Sequence, residues 1–118
     1  MKRRIVTFDA FDVVVVPFPF TDRATARHRP ALVLSDAQVF NLRIGHAVLA
    51  MITSAKNSDW PLDMEIRDLD SAGLPCPSII RMKLFTLDEK LIIRKAGKLA
   101  GGDRENVRET LRRLFPLG

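Results

Sequence analysis

Apolar and polar positions change their spacing several times along the chain, and each change marks an element. Residues 12–20, DVVVVPFPF, form a β-branched run closed by Pro17 and Pro19. This predicts a strand with a buried interior and an edge near Pro17, because proline brings no ladder donor. Residues 18–28 show neither a helical nor a strand period and predict a mobile loop. RPALVLS, 29–35, resumes as a strand, DAQVFNL reads as a short helix capped by Ser35 or Asp36, and HAVLAMITS, 46–54, is the next strand. AKNSDWP is a second polar loop, after which the alternation of Leu62, Met64 and Ile66 in LDMEIRDL predicts a strand with one buried face. Beyond the turn DSAGLPCP, the stretches SIIRMKLFTLD and KLIIRKAGKLA bring the total to five or six short strands. Strands at that spacing predict a small closed or nearly closed antiparallel barrel.

The period then lengthens. In GDRENVRETLRRLFPLG, Val107, Leu111, Leu114 and Phe115 fall on one stripe of a helix, with Asp103 as the expected N-cap and Pro116 as the stop. On its other face, Glu105 with Arg108 and Glu109 with Arg113 are spaced to pair, each pair contributing roughly 0.2–0.5 kcal/mol. The helix arginines read as a solvated face.

Composition narrows the class. With 118 residues, 47% hydrophobic and 28% charged, the chain predicts one globular domain, residues 1–118, that buries its core without disulfides or metal. Nineteen Lys and Arg against 14 Asp and Glu give a net charge of +5, which favours anionic partners without choosing among them. The basic start followed by apolar residues resembles a secretion signal, but Asp9, Asp12, Pro17 and Pro19 interrupt it. No segment reaches the ~20 apolar residues of a membrane span. The expectation is a cytoplasmic protein without membrane contact. A lone cysteine, Cys76, agrees with a reducing compartment, and two histidines with one cysteine exclude a cysteine-rich zinc site.

Five stretches in order, DVVVVPFPFTD, RHRPALVLS, ITS, GLPCPSIIRMKLFTLD and RKAGKLA, together resemble the MazF/PemK toxins of bacterial toxin–antitoxin systems. The resemblance spans about residues 11–115. It implies a mainly β fold, an SH3-like antiparallel barrel of the CcdB/MazF type with a short mid-chain helix and a C-terminal α-helix. It further implies a homodimer, sequence-selective cleavage of single-stranded RNA without cofactor or metal, and neutralisation by an antitoxin with a disordered acidic tail. Operator DNA would be bound only as the complex with antitoxin. Two positions depart from the family pattern: Phe11 stands where a glycine is usual, and Lys83 where some members carry an acid.

The resemblance assigns Arg29 and Thr53 as the catalytic pair. Cleavage through the 2′-hydroxyl needs a phosphate held and its developing charge neutralised, tasks suited to a guanidinium. Pro30 holds the backbone of Arg29 extended and so fixes where its side chain departs. Thr53 would position through its hydroxyl, being a poor base unaided. Without the resemblance, the two read as a rim arginine and a strand-end threonine. Histidine is the commonest general base, which makes His28 a candidate, but strand neighbours point to opposite faces, which sets it apart from Arg29. Arg27, Lys56 and Arg81 are expected to hold flanking phosphates. Asn57 and Trp60 would read or stack on bases, and His28 and Ser54 complete the expected RNA-binding set. Two other readings stay open: a toxin of this fold that grips a protein such as DNA gyrase, and an inactive homologue that only binds antitoxin.

Overall fold

The computed structural model describes residues 7–19, 27–57 and 59–117. Its centre is the valine run. Strand β1, Asp12–Phe18, is buried on both faces because Val13 joins one hydrophobic cluster while Val14 and Val16 join another. β2, Arg27–Val33, alternates the same way, sending Leu32 to the first cluster and Ala31 and Val33 to the second. Each fully buried valine or leucine contributes on the order of 1.5–3 kcal/mol, so this two-sided burial dominates the fold energetically.

Strand β3, His46–Ser54, follows a π-type turn, Ala37–Asn41, and a single helical turn α1, Leu42–Ile44. Then come β4, Met64–Glu65, a short helix α2, Leu69–Ala72, β5, Ser78–Asp88, β6, Arg94–Lys98, and the helix α3, Gly101–Leu114. The six antiparallel strands form one curled half-barrel in the order β4-β5-β3-β2-β1-β6. Helix α3 covers the first cluster with Val107 and Leu111. Among the described residues no helix is long and apolar enough to cross a membrane.

Several local expectations change. The loop expected over 18–28 is shorter at both ends, since Phe18 pairs with Arg27 and Pro17 with His28; residues 20–26 lie outside the described set. Pro17 is tolerated because β6 pairs with β1 only over Asp12–Val15, leaving the far side of Pro17 without a ladder to break. The strand foreseen around Leu62 shrinks to two residues because Leu62 itself takes φ +67°. Part of the expected turn after it is helix α2. The 36–42 segment is capped by Asp36, whose carboxylate accepts from Val39 N at 2.8 Å. Ser35 instead bonds the fully buried Asn41, whose amide donates to the carbonyls of Phe8 and Ser35.

Asp103 is not the N-cap of α3. Ala100 holds that position without a side-chain bond, while Asp103 is buried one turn in, accepting from the amides of Arg67 and Asp68, both at 3.0 Å. A carboxylate with two amide donors is worth burying, and this one ties α3 to the chain entering α2. Glu105 pairs with Arg108 as expected, but Glu109 reaches Arg112 at 3.4 Å rather than Arg113. Both i+3 and i+4 partners are helix-surface neighbours, so spacing alone does not choose. Phe115 lies past the helix end and is 46% exposed, leaving the apolar stripe one residue short.

Two glycines let α2 lie against β6. A Cβ on Gly73 would stand 2.0 Å from the Ala96 carbonyl oxygen, and one on Gly97 would stand 2.4 Å from that of Ser71. Phe11 does without such freedom: it holds φ +73°, its amide donating to Val33 O at 2.7 Å and its carbonyl accepting from Leu99 N at 3.0 Å. That explains the glycine usual in the family, and here the ring recovers part of the backbone cost by lying 5.0 Å from the Arg108 guanidinium. The positive φ predicts an inverted order of variants. Phe11→Gly and Phe11→Ala both lose the ring, yet in urea unfolding the glycine variant should be the more stable by about 1 kcal/mol. The ordinary order, alanine above glycine, would show that this backbone is not held left-handed.

Candidate functional site

Pairing of β2 with β3 places Ala31 opposite Met51 and Val33 opposite Leu49, on the face of the second cluster. Continuing that register by two residues brings Arg29 opposite Thr53, beyond the last core residue. Both are half-buried, and both line a cleft of about 210 Å³ together with Phe18, Met51, Arg81 and Lys83. On the adjoining side they line a second hollow of about 400 Å³, with Arg27, His28, Ser54 and Cys76. Arg29 and Thr53 therefore form the saddle of a continuous groove.

The electrostatics of the smaller cleft point one way. Among the described residues it is lined by three cations and no carboxylate. Arg29 lies over the Phe18 ring at 5.8 Å, and among the described residues its buried Nε has no hydrogen-bond partner. The larger hollow, about 1000 Å³, is of mixed charge, lined by Asp12, Asp88 and Glu89 as well as Lys90, Arg94 and Lys95. Asp12 there already pairs with Lys95 at 3.2 Å, and Glu89 accepts from Thr7 and Phe8.

Thr53 is held by its own loop: Asn57 Nδ2 donates to its Oγ1 at 3.3 Å. The Asn57 carbonyl accepts from Arg81 Nη2 at 2.6 Å, and Arg81 donates through Nε and Nη2 to the two carboxylate oxygens of Asp63 at 3.1 and 2.9 Å. The same guanidinium lies 5.1 Å from the centre of Trp60, which is 45% exposed. This fork stitches the 55–63 segment onto β5, so Arg81 builds the wall of the cleft with its charge already partnered.

The remaining expected residues divide by location. Arg27, His28 and Ser54 reach only the second hollow, with His28 on the opposite face of β2 from Arg29, as strand alternation requires. Lys56 is exposed in the turn Ala55–Asn57 and lines neither hollow. Three residues of the site escaped sequence reasoning: Phe18, Asp63 and Cys76. The PFPF run was the only signal for Phe18, and Asp63 carries none apart from its place in a polar loop.

With this geometry, comparison with known proteins identifies the class. Residues 9–115 match the family of PemK-like, MazF-like toxins of type II toxin–antitoxin systems, and the chain belongs to that family. The fold is shared with MazF from Deinococcus radiodurans, at 21% identity over 96% of this chain and 100% of that one, TM-score 0.72. A MazE–MazF complex from the same organism matches at 21% identity, 93% and 96% coverage and TM-score 0.70. A mycobacterial endoribonuclease in complex with its cognate antitoxin matches at 13% identity, 93% and 94% coverage and TM-score 0.71. No curated protein matches the sequence.

The Arg81 fork also sets a pH dependence. Its hydrogen bonds hold the Asp63 carboxyl below the ordinary 3.8, against burial that acts the other way, with the Trp60 and Asp59 amides assisting. A pKa depressed by folding contributes stability that is complete above the unfolded value and is lost as pH falls through the folded one. Asp63→Asn should therefore be less stable than wild type by a constant margin above about pH 5, the gap closing below about pH 4. Urea titrations of both proteins across that range measure it; a gap independent of pH would remove Asp63 from the account.

Proposed function

We propose that this toxin is a metal-independent, sequence-selective endoribonuclease that cuts single-stranded RNA, messenger RNA above all, and thereby arrests translation and growth. The observation that carries the reading is that Arg29 and Thr53 line one cleft with Arg81 and Lys83 and, among the described residues, no carboxylate. The Arg29 guanidinium accepts the scissile phosphate and stabilises charge developing on its free oxygens, where a donor aimed at the transition state is worth most. Thr53 Oγ1, oriented by Asn57, donates to a phosphate oxygen or steers the 2′-hydroxyl. The 2′-oxygen attacks phosphorus as the bond to the 5′-oxygen breaks, leaving a 2′,3′-cyclic phosphate and a 5′-hydroxyl; the proton lost by one oxygen is gained by the other.

The groove on either side of the saddle receives the flanking nucleotides. Arg27 and His28 meet the strand in the second hollow, and Trp60 offers an indole for stacking at the other end. Lys56 adds long-range attraction from the rim. The reading also includes a homodimer acting in the cytoplasm and an antitoxin whose acidic tail competes for the basic groove. The MazE–MazF complex of Deinococcus and the mycobacterial endoribonuclease bound to its cognate antitoxin support an antitoxin partner by analogy.

The test is direct. Purified protein in excess chelator should cut single-stranded RNA and leave 2′,3′-cyclic phosphate ends. Arg29→Ala should lower the cleavage rate about 10²–10³-fold. Thr53→Ala should lower it by about tenfold or more, the loss of one hydrogen bond to a charged group. Both should retain the wild-type circular dichroism spectrum. Intact RNA after prolonged incubation with active-site-intact protein, across a library of sequences, would end the nuclease reading.

A further inference from the structure

Lys83 is a cation of the cleft that the reaction as described leaves unused. It stands where some family members carry an acid, and the strand pairing brings it to the site. Across β3, Ala50 pairs with Leu84 but Met51 pairs with Arg81, so Met82 and Lys83 bulge out of the β5 ladder. Arg81 and Lys83, two residues apart on β5, share one face of the strand, and both line the cleft. The Lys83 ammonium lies 5.7 Å from the centre of the Phe18 ring, the same ring that carries the Arg29 guanidinium at 5.8 Å. Arg81 is neutralised by Asp63, whereas among the described residues neither Arg29 nor Lys83 has an ion-pair partner. Two uncompensated cations on one aromatic ring repel each other in the empty protein, and a polyanion relieves that repulsion.

We propose that Lys83 is a second phosphate-binding residue, gripping the backbone phosphate that neighbours the one held by Arg29, with Phe18 as the spacer that sets their separation. The inference rests on the nuclease reading. A carboxylate at this position would repel that phosphate, so the departure from the family pattern strengthens the grip on the strand here. As a point charge on an exposed stem, Lys83 adds affinity without base selectivity.

Fluorescence anisotropy with a labelled, fully 2′-O-methylated RNA of mixed sequence, which binds but cannot be cut, measures this across 50–400 mM KCl, a range of about one decade chosen for counterion release. For Lys83→Met, the slope of log affinity against log salt should become shallower by about 0.7, one phosphate contact on a single strand, and binding at 0.1 M salt should weaken by about tenfold. Lys83→Arg should keep the wild-type slope, and Lys83→Met should keep or raise the thermal midpoint because it removes like-charge repulsion. An unchanged slope in Lys83→Met, with wild type binding and cutting RNA normally, overturns the role of Lys83 and leaves the nuclease reading intact. Wild type that neither binds the methylated RNA nor cuts its unmodified counterpart overturns both.

Discussion

The register between β2 and β3 is the constraint on which the site depends. Ala31, opposite Met51, and the pair Val33 with Leu49 fill the second cluster, while Leu32 with Ala50 fills the first. Because both faces are buried, a slip of one residue would exchange the two sets and drive Arg29 and Thr53 to the wrong side of the sheet. Core packing thus holds the two side chains in register without any direct bond between them. Such precision from rigid strands is what a reaction dependent on phosphate positioning requires.

Around that fixed pair the rest of the site is assembled by lateral connections. The Asp63–Arg81 fork holds the 55–63 segment, Asn57 in that segment orients Thr53, and Trp60 is backed by the same guanidinium. One arginine expected to bind phosphate serves instead as the keystone of the wall. Strand β5 brings another cation, Lys83, to the same cleft. Among the described residues, ion pairing thus separates Arg81, which builds the cleft wall, from Arg29 and Lys83.

Strain and burial are distributed to match. The left-handed Phe11 lies where β1, β2 and the chain entering α3 are bonded together, and its ring packs against the first cluster. Asp103, buried with two amide donors, anchors α3 across the same cluster. Both features lie on the face of the sheet opposite to the Arg29 side chain, so the cost of supporting the fold falls away from the candidate cleft.

Much of this was legible in the chain. The valine run, the alternation in HAVLAMITS and the helical stripe through Val107 each report burial period, which depends on neighbours in sequence. Arg29 and Thr53 were singled out by the resemblance to the family, and the structure brings them to one cleft. Other features were not legible, for one physical reason: they depend on which residues face each other across strands. Asp103 resembled an N-cap until its amide partners at Arg67 and Asp68 were seen. Arg81 read as a free cation until Asp63 was found beside it, and Phe18 read as loop until it paired with Arg27. Sequence determined which segments bury their faces and where chemistry was to be sought. Only the tertiary structure decided which charges remain unpaired, because ion pairing and strand register join residues whose spacing along the chain carries no periodic signal.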